Sequence, residues 1–266
     1  MKKNIICLIF AFIFLCGGCI CNSNCVYADI RNSYMAIVID DFGGYNRNGV
    51  EKMLSLDCSI TCAVMPGCEY TLQDAEDANK NGHEVILHMP MEAHVDLPAE
   101  WYGNIYVKNS DTPKVAREKV EKCFSVIPYA KGLNIHIGSG VSKNKDIITE
   151  IMNAVKERNL FFCDSKTIQN SVCEQCALET KADFISRDEF LETTHNADYS
   201  YAKKMLIKGA QVALKNGYSV VIGHVGPEGG ISTYNAIKDS LLEIQNMGVK
   251  IVPLSKVIEY KYGRSN

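Results

Sequence analysis

The chain has 266 residues with 28 Lys and Arg against 31 Asp and Glu, a net charge of −3, and 47% hydrophobic content. That hydrophobic share suits a packed globular protein and excludes a disordered one. Without a basic excess, no nucleic-acid partner is expected.

The first segment, "MKKNIICLIFAFIFLC", places two lysines ahead of an apolar run from Ile5 to Leu15, and Val26-Tyr27-Ala28 then gives a small-x-small pattern before Asp29. This reads as a secretory signal peptide over residues 1–28, removed after Ala28. The apolar run is too short for a stable span, so no transmembrane segment is expected after cleavage. A secreted or extracytoplasmic protein, in a periplasm or on a cell surface, follows. Residues 29–266 then suffice for one large α/β domain. Five of the twelve cysteines leave with the signal peptide, and the odd number that remains cannot all pair internally. Cys173 and Cys176, in "NSVCEQCALE", are expected to form a local disulfide. Cys58, Cys62, Cys123 and Cys163 lie in or beside apolar segments and read as buried thiols.

From Met35 onward, short apolar runs alternate with segments of helical spacing. The runs are Met35–Ile39, Ser59–Val64, Glu84–Leu87, Gly132–Ile137, Leu160–Cys163, Ala182–Ile185, Ser219–Ile222 and Lys250–Pro253. Helices are predicted over Gly49–Leu56, Thr71–Asn81, Pro113–Val126, Lys145–Arg158, Ser200–Asn216 and Ser232–Met247. Asn81-Gly82 and Asn216-Gly217 supply the glycine stops. The alternation predicts a parallel sheet or barrel with outer helices. The stretch from Met89 to Thr112 has no clear period, and a loop of that length is usually functional.

Polar residues cluster where the runs end: Asp40-Asp41, His88, His136, Asp164 and His224. In an α/β barrel these ends open on one face, where such folds place their sites. Imidazole and carboxylate suit a divalent metal such as zinc, with Asp41, His88 and His136 as ligands and Asp40 as base. Glu92 is an alternative third ligand, placed second because Pro90 breaks the helix on which a four-residue spacing would align it with His88. His83 and His195 lack the strand-end placement and read as surface or packing residues. Trp101 and Tyr102 either stack on a sugar ring or anchor the long loop.

The segments "AIVIDDFG", "EVILHMPMEAH", "GLNIHIGSG", "LFFCDSKT", "RDEFLE" and "VVIGHVGPEG", taken in this order, resemble the divergent branch of the polysaccharide deacetylases. The resemblance implies an incomplete (β/α)7-type barrel of parallel strands with outer helices, and a divalent metal, zinc by preference. The implied activity is metal-dependent hydrolysis that removes N-acetyl groups from an extracytoplasmic cell-wall or capsular polysaccharide. By position, Asp40 corresponds to the catalytic base, Asp41 to a metal ligand and His224 to the general acid. Glu92, Asp164 and Arg187 are substrate-binding candidates on the same face, Arg187 as a residue that orients a carboxylate. Two departures stand out: Glu92 occupies the place of the usual second histidine, and "NIHIGSG" replaces the usual Arg-x-Pro-Tyr segment. They keep open the alternative of a non-catalytic glycan-binding or envelope-assembly module on the same fold.

Overall fold

The computed structural model of the protein describes residues 32–193 and 198–264; the predicted signal peptide, its cleavage site and His195 lie outside the described residues. Strand β1 (Ser33–Phe42) is followed by α1 (Val50–Met53), β2 (Thr61–Val64), α2 (Thr71–Lys80), β3 (Glu84–Met91), α3 (Pro113–Phe124), β4 (Gly132–Ile137), α4 (Lys145–Glu157) and β5 (Phe161–Asp164). The second half runs α5 (Cys173–Thr180), β6 (Asp183–Ser186), β7 (Glu189–Phe190), α6 (Tyr199–Asn216), β8 (Tyr218–His224), α7 (Gly230–Asn246), β9 (Val249–Ile251) and α8 (Leu254–Lys261). Every pairing is parallel, in the order β6-β5-β4-β3-β2-β1-β8-β7, with β9 added beside the start of β1. The path ends at β6 and β7 without joining them, so the barrel is incomplete. It has one more strand along the path than the seven expected, because the two-residue β7 carries too little sequence to show an apolar run.

The two faces of the sheet follow the strand period of two. Met35, Ile37 and Ile39 of β1 pack outward with the helices. Ala36 and Val38 face inward with Ala63, Ile86, Cys163, Ile185, Val220 and Ile222, and Leu254, Val257 and Ile258 of α8 close that inner core. Helix α8 was not expected. Its start is held by Ser255 N–H donating to Glu84 (3.1 Å) and Leu254 N–H donating to Thr61 Oγ1 (3.0 Å).

Helix ends follow local chemistry. Thr112 and Asn144 cap α3 and α4 by accepting from Val115 N–H and Ile147 N–H. Gly217, at φ 88°, ends α6 with its N–H on Ala213 O. The expected disulfide is absent: Cys173 and Cys176 are free thiols, one turn apart on α5 and buried. Helix formation explains the difference. It packs both residues into the core as small hydrophobes, with Cys176 Sγ near Thr149 and Lys145. Burial pushes the Cys58 and Cys123 thiols up to about 11 and 12. Among the described residues, no helix is long and apolar enough to cross a membrane.

Candidate metal and active site

The inward period of each strand turns polar at its carboxyl end. On β1 it runs Ala36, Val38, Asp40; on β3 Ile86, His88; on β8 Val220, Ile222, His224. Sheet register sets Asp40 beside His224, His88 beside Asn134, and Pro90 beside His136. Asp41 would point outward by the same period, but β1 bulges there. Ile39 pairs with Cys62 and Phe42 with Val64, so β1 holds one extra residue, and Asp41 takes φ 70°. The bulge turns both aspartates to the same side and returns Phe42 to the outer core.

Three ligand atoms meet there. Asp41 Oδ1 lies 3.3 Å from His88 Nε2 and 3.2 Å from His136 Nδ1, and the two ring nitrogens are 3.0 Å apart. The far nitrogen of each ring faces an oxygen that can only accept: His88 Nδ1–H donates to the Asn134 side-chain carbonyl (2.7 Å) and His136 Nε2–H to Trp101 O (2.9 Å). These bonds aim His88 Nε2 and His136 Nδ1 at Asp41 Oδ1, which is buried and lacks a hydrogen-bond partner whenever the two ring nitrogens facing it carry no proton. Zinc ligands about 2.0–2.2 Å from the ion stand roughly 3.3 Å apart in a tetrahedron, so the donor set fits a divalent cation.

Charge agrees with geometry. Burial opposes ionisation of Asp41, yet hydrogen bonds and charge from His136 and His88 hold its carboxyl well below the usual range. Burial also disfavours a charged His88, but Asp40 and Asp41 raise its pKa. The pocket therefore attracts positive charge, as a proton or as a metal. Asp40, 2% exposed, accepts from Asn134 Nδ2–H (2.7 Å) and keeps Oδ2 3.7 Å from His88 Nε2. Burial raises its pKa, with the charges of His88 and His224 pulling the other way.

The sequence model of the divergent polysaccharide deacetylases matches residues 37–258. The chain belongs to that family. An uncharacterised Escherichia coli protein, YibQ, is 32% identical over 198 residues, covering 73% of this chain and 59% of its own, so the chain spans little more than half of that relative. An uncharacterised Haemophilus influenzae protein is 28% identical over 73% of this chain and 68% of its own. Among solved structures, an uncharacterised Agrobacterium tumefaciens protein aligns at TM-score 0.76 and 20% identity, over 85% of this chain and 89% of that one. The Xyl-CE4 domain of a multidomain xylanase from a Trinervitermes trinervoides hindgut metagenome aligns at 0.53 and 14%, over 87% and 92%. A CE4-family pseudoenzyme from Bacillus anthracis aligns at 0.53 and 10%, over 85% and 66%. At these identities the structural likenesses describe the fold alone.

In this member of the family, His224 stands beside Asp41, paired with Glu192. Its Nδ1 is 3.0 Å from Glu192 Oε2, its backbone N–H donates to Glu192 Oε1 (3.1 Å), and Thr233 Oγ1 donates to the same oxygen. Burial works against a charge on the ring, but Glu192, then Asp41 and Asp40, push the His224 pKa up to about 10. Gly229 lets the following loop pass over this pair: a Cβ there would lie 2.3 Å from His224 O.

The remaining sequence candidates sit apart from the cluster. Glu92 Oε2 accepts from Asn109 N–H (2.6 Å), which anchors the long loop. His88 and Glu92 are joined by strand rather than helix, and four residues of strand span about 13 Å. Asp164 shares the outer face with Phe162, accepts from Lys166 N–H (2.8 Å), and has its pKa raised by burial. Among the described residues, Arg187 reaches no carboxylate by hydrogen bond. It donates to Ser165 O and Lys166 O and stacks 3.6 Å over Phe190. That stacking follows from β7, which brings Phe190 beneath the guanidinium. His83 packs at the opposite end, donating to Leu54 O and accepting from Ile60 N–H. Two residues that sequence reasoning passed over, Asn134 and Glu192, belong to the site. Asn134 was signalled by being an amide inside an apolar run, two residues before His136 on the same face.

Proposed function

We propose that the protein is a metal-dependent hydrolase that removes N-acetyl groups from an extracytoplasmic polysaccharide, with zinc held by Asp41, His88 and His136. The observation that carries this reading is the meeting of those three candidate ligand atoms beside a buried carboxylate, Asp40, and an imidazole paired with Glu192, His224. A bound divalent ion would supply Lewis acidity to the acetamide oxygen and to a water. Asp40, with Oδ1 fixed by Asn134, takes a proton from the water as its oxygen bonds to the acetyl carbon. His224, kept protonated by Glu192, donates a proton to the sugar nitrogen as the C–N bond breaks, leaving acetate and a free amine. The predicted signal peptide supports action outside the cytoplasm.

A second reading, a glycan-binding module without turnover, draws on one observation. The buried partner of Asp40 is a neutral amide, and among the described residues no Lys or Arg side chain hydrogen-bonds it. Acetate release from N-acetylglucosamine oligomers and peptidoglycan fragments, with zinc added or chelated, separates the two. Zinc-dependent release that Asp40→Asn abolishes supports the hydrolase. Tight glycan binding without release, unchanged by Asp40→Asn, supports the module.

A further inference from the structure

We propose that Trp101 is a stacking platform for a pyranose ring of the glycan, adjacent to the sugar whose acetamido group enters the site. The proposal rests on the glycan reading above and adds where the chain of sugars lies. Trp101 is on a short 3-10 turn, Ala99–Tyr102, within the long loop between β3 and α3.

That turn is held at several points, none of which uses the indole. Tyr102 is buried, its hydroxyl accepts from Ala93 N–H (3.1 Å), and its ring stacks on Tyr106 at 4.6 Å and 17°. Asn104 Nδ2–H donates to Gly67 O (3.2 Å), across the end of β2. Trp101 O accepts from His136 Nε2–H, at the end of β4. The turn thus spans the rim on either side of β3, which carries His88, and its backbone is fixed to a candidate metal ligand.

Tyr102 accounts for the anchoring, which leaves Trp101 with a different task. Its side chain is 53% exposed and makes no ring or cation contact among the described residues. A large apolar surface held rigidly beside a polar site, rather than folded into the core, suits a ligand with an apolar face. The C–H face of a pyranose is such a surface, and an indole gives it broad contact at small cost in rotamer freedom. The Trp101 carbonyl lies one hydrogen bond from His136, so the residue adjoins the candidate site at the backbone, and its indole is assigned to the neighbouring sugar of an oligomer.

Trp101 is the only tryptophan of the chain, so its emission reports this position alone. The zinc-loaded Asp40→Asn protein, titrated with the N-acetylglucosamine tetramer, should show a saturable change in tryptophan emission. By calorimetry, Trp101→Ala should bind the tetramer at least about tenfold more weakly, with Trp101→Phe recovering most of the affinity, and both should keep wild-type zinc affinity. Wild-type tetramer affinity in Trp101→Ala overturns the proposal. So does saturated binding that leaves the emission unmoved. Acetate release with an unchanged KM in Trp101→Ala defeats the platform and spares the hydrolase. Tetramer binding on Trp101 without acetate release does the reverse, and no binding at all defeats both.

Discussion

Asn134 joins the candidate base to a candidate metal ligand, and replacing it by leucine of similar size removes both links at once. His88 Nδ1–H and Asp40 Oδ1 each lose a 2.7 Å partner in a fully buried setting. An unpaired buried donor costs about 1–3 kcal/mol, and a lost bond to a carboxylate about 1.5–3 kcal/mol. Leucine recovers roughly 1 kcal/mol of apolar burial, so the metal-free protein should lose about 1.5–5 kcal/mol. Zinc affinity should fall about 10–100-fold, because His88 no longer has the acceptor that fixes its ring. Urea denaturation in chelator gives the first quantity and competition with a zinc-binding dye the second. Asn134→Asp, which keeps an acceptor for His88, should retain zinc while weakening the fold through repulsion with Asp40. Wild-type stability and zinc affinity in Asn134→Leu would refute the bridging role.

Glu92→Gln should leave zinc affinity unchanged and cost about 1 kcal/mol through its loop bond to Asn109; a tenfold loss of zinc in the competition titration would return Glu92 to the ligand set. Glu192→Gln should lower the His224 pKa from about 10, because burial is then opposed only by the weaker pull of Asp41 and Asp40. A folded pKa above the unfolded value of 6.5 stabilises fully below 6.5, and the effect is lost as pH rises through about 10. Chelated wild type should therefore lose stability across that window, and an equal slope in Glu192→Gln would contradict the pairing.

Much of this was legible in the sequence, because strand period and strand ends are local properties. Asp40 and His88 directly follow an apolar run, His224 follows one by two residues and His136 lies one residue before the end of another, which is enough to place them on one rim of a parallel barrel. The bulge at Asp41 was not legible: it depends on the register between β1 and β2, which no local pattern records. Glu192 was hidden for a similar reason. Its partner His224 lies 32 residues away and meets it only through the pairing of β7 with β8. Cys173 and Cys176 misled because their spacing fits a loop disulfide as well as one turn of a buried helix. Glu92 turned on the element that follows His88. Pro90 argued correctly against a helix there, and the strand carries Glu92 away from the metal cluster.

The most direct test of the central claim is zinc stoichiometry. The protein without its predicted signal peptide, residues 29–266, and its Asp41→Ala, His88→Ala and His136→Ala variants would be equilibrated with zinc, desalted and assayed for bound metal. One ion per wild-type chain, with little or none retained by each folded variant, is the expected result. Full retention by any one of the three would remove that residue from the metal centre and contradict the site.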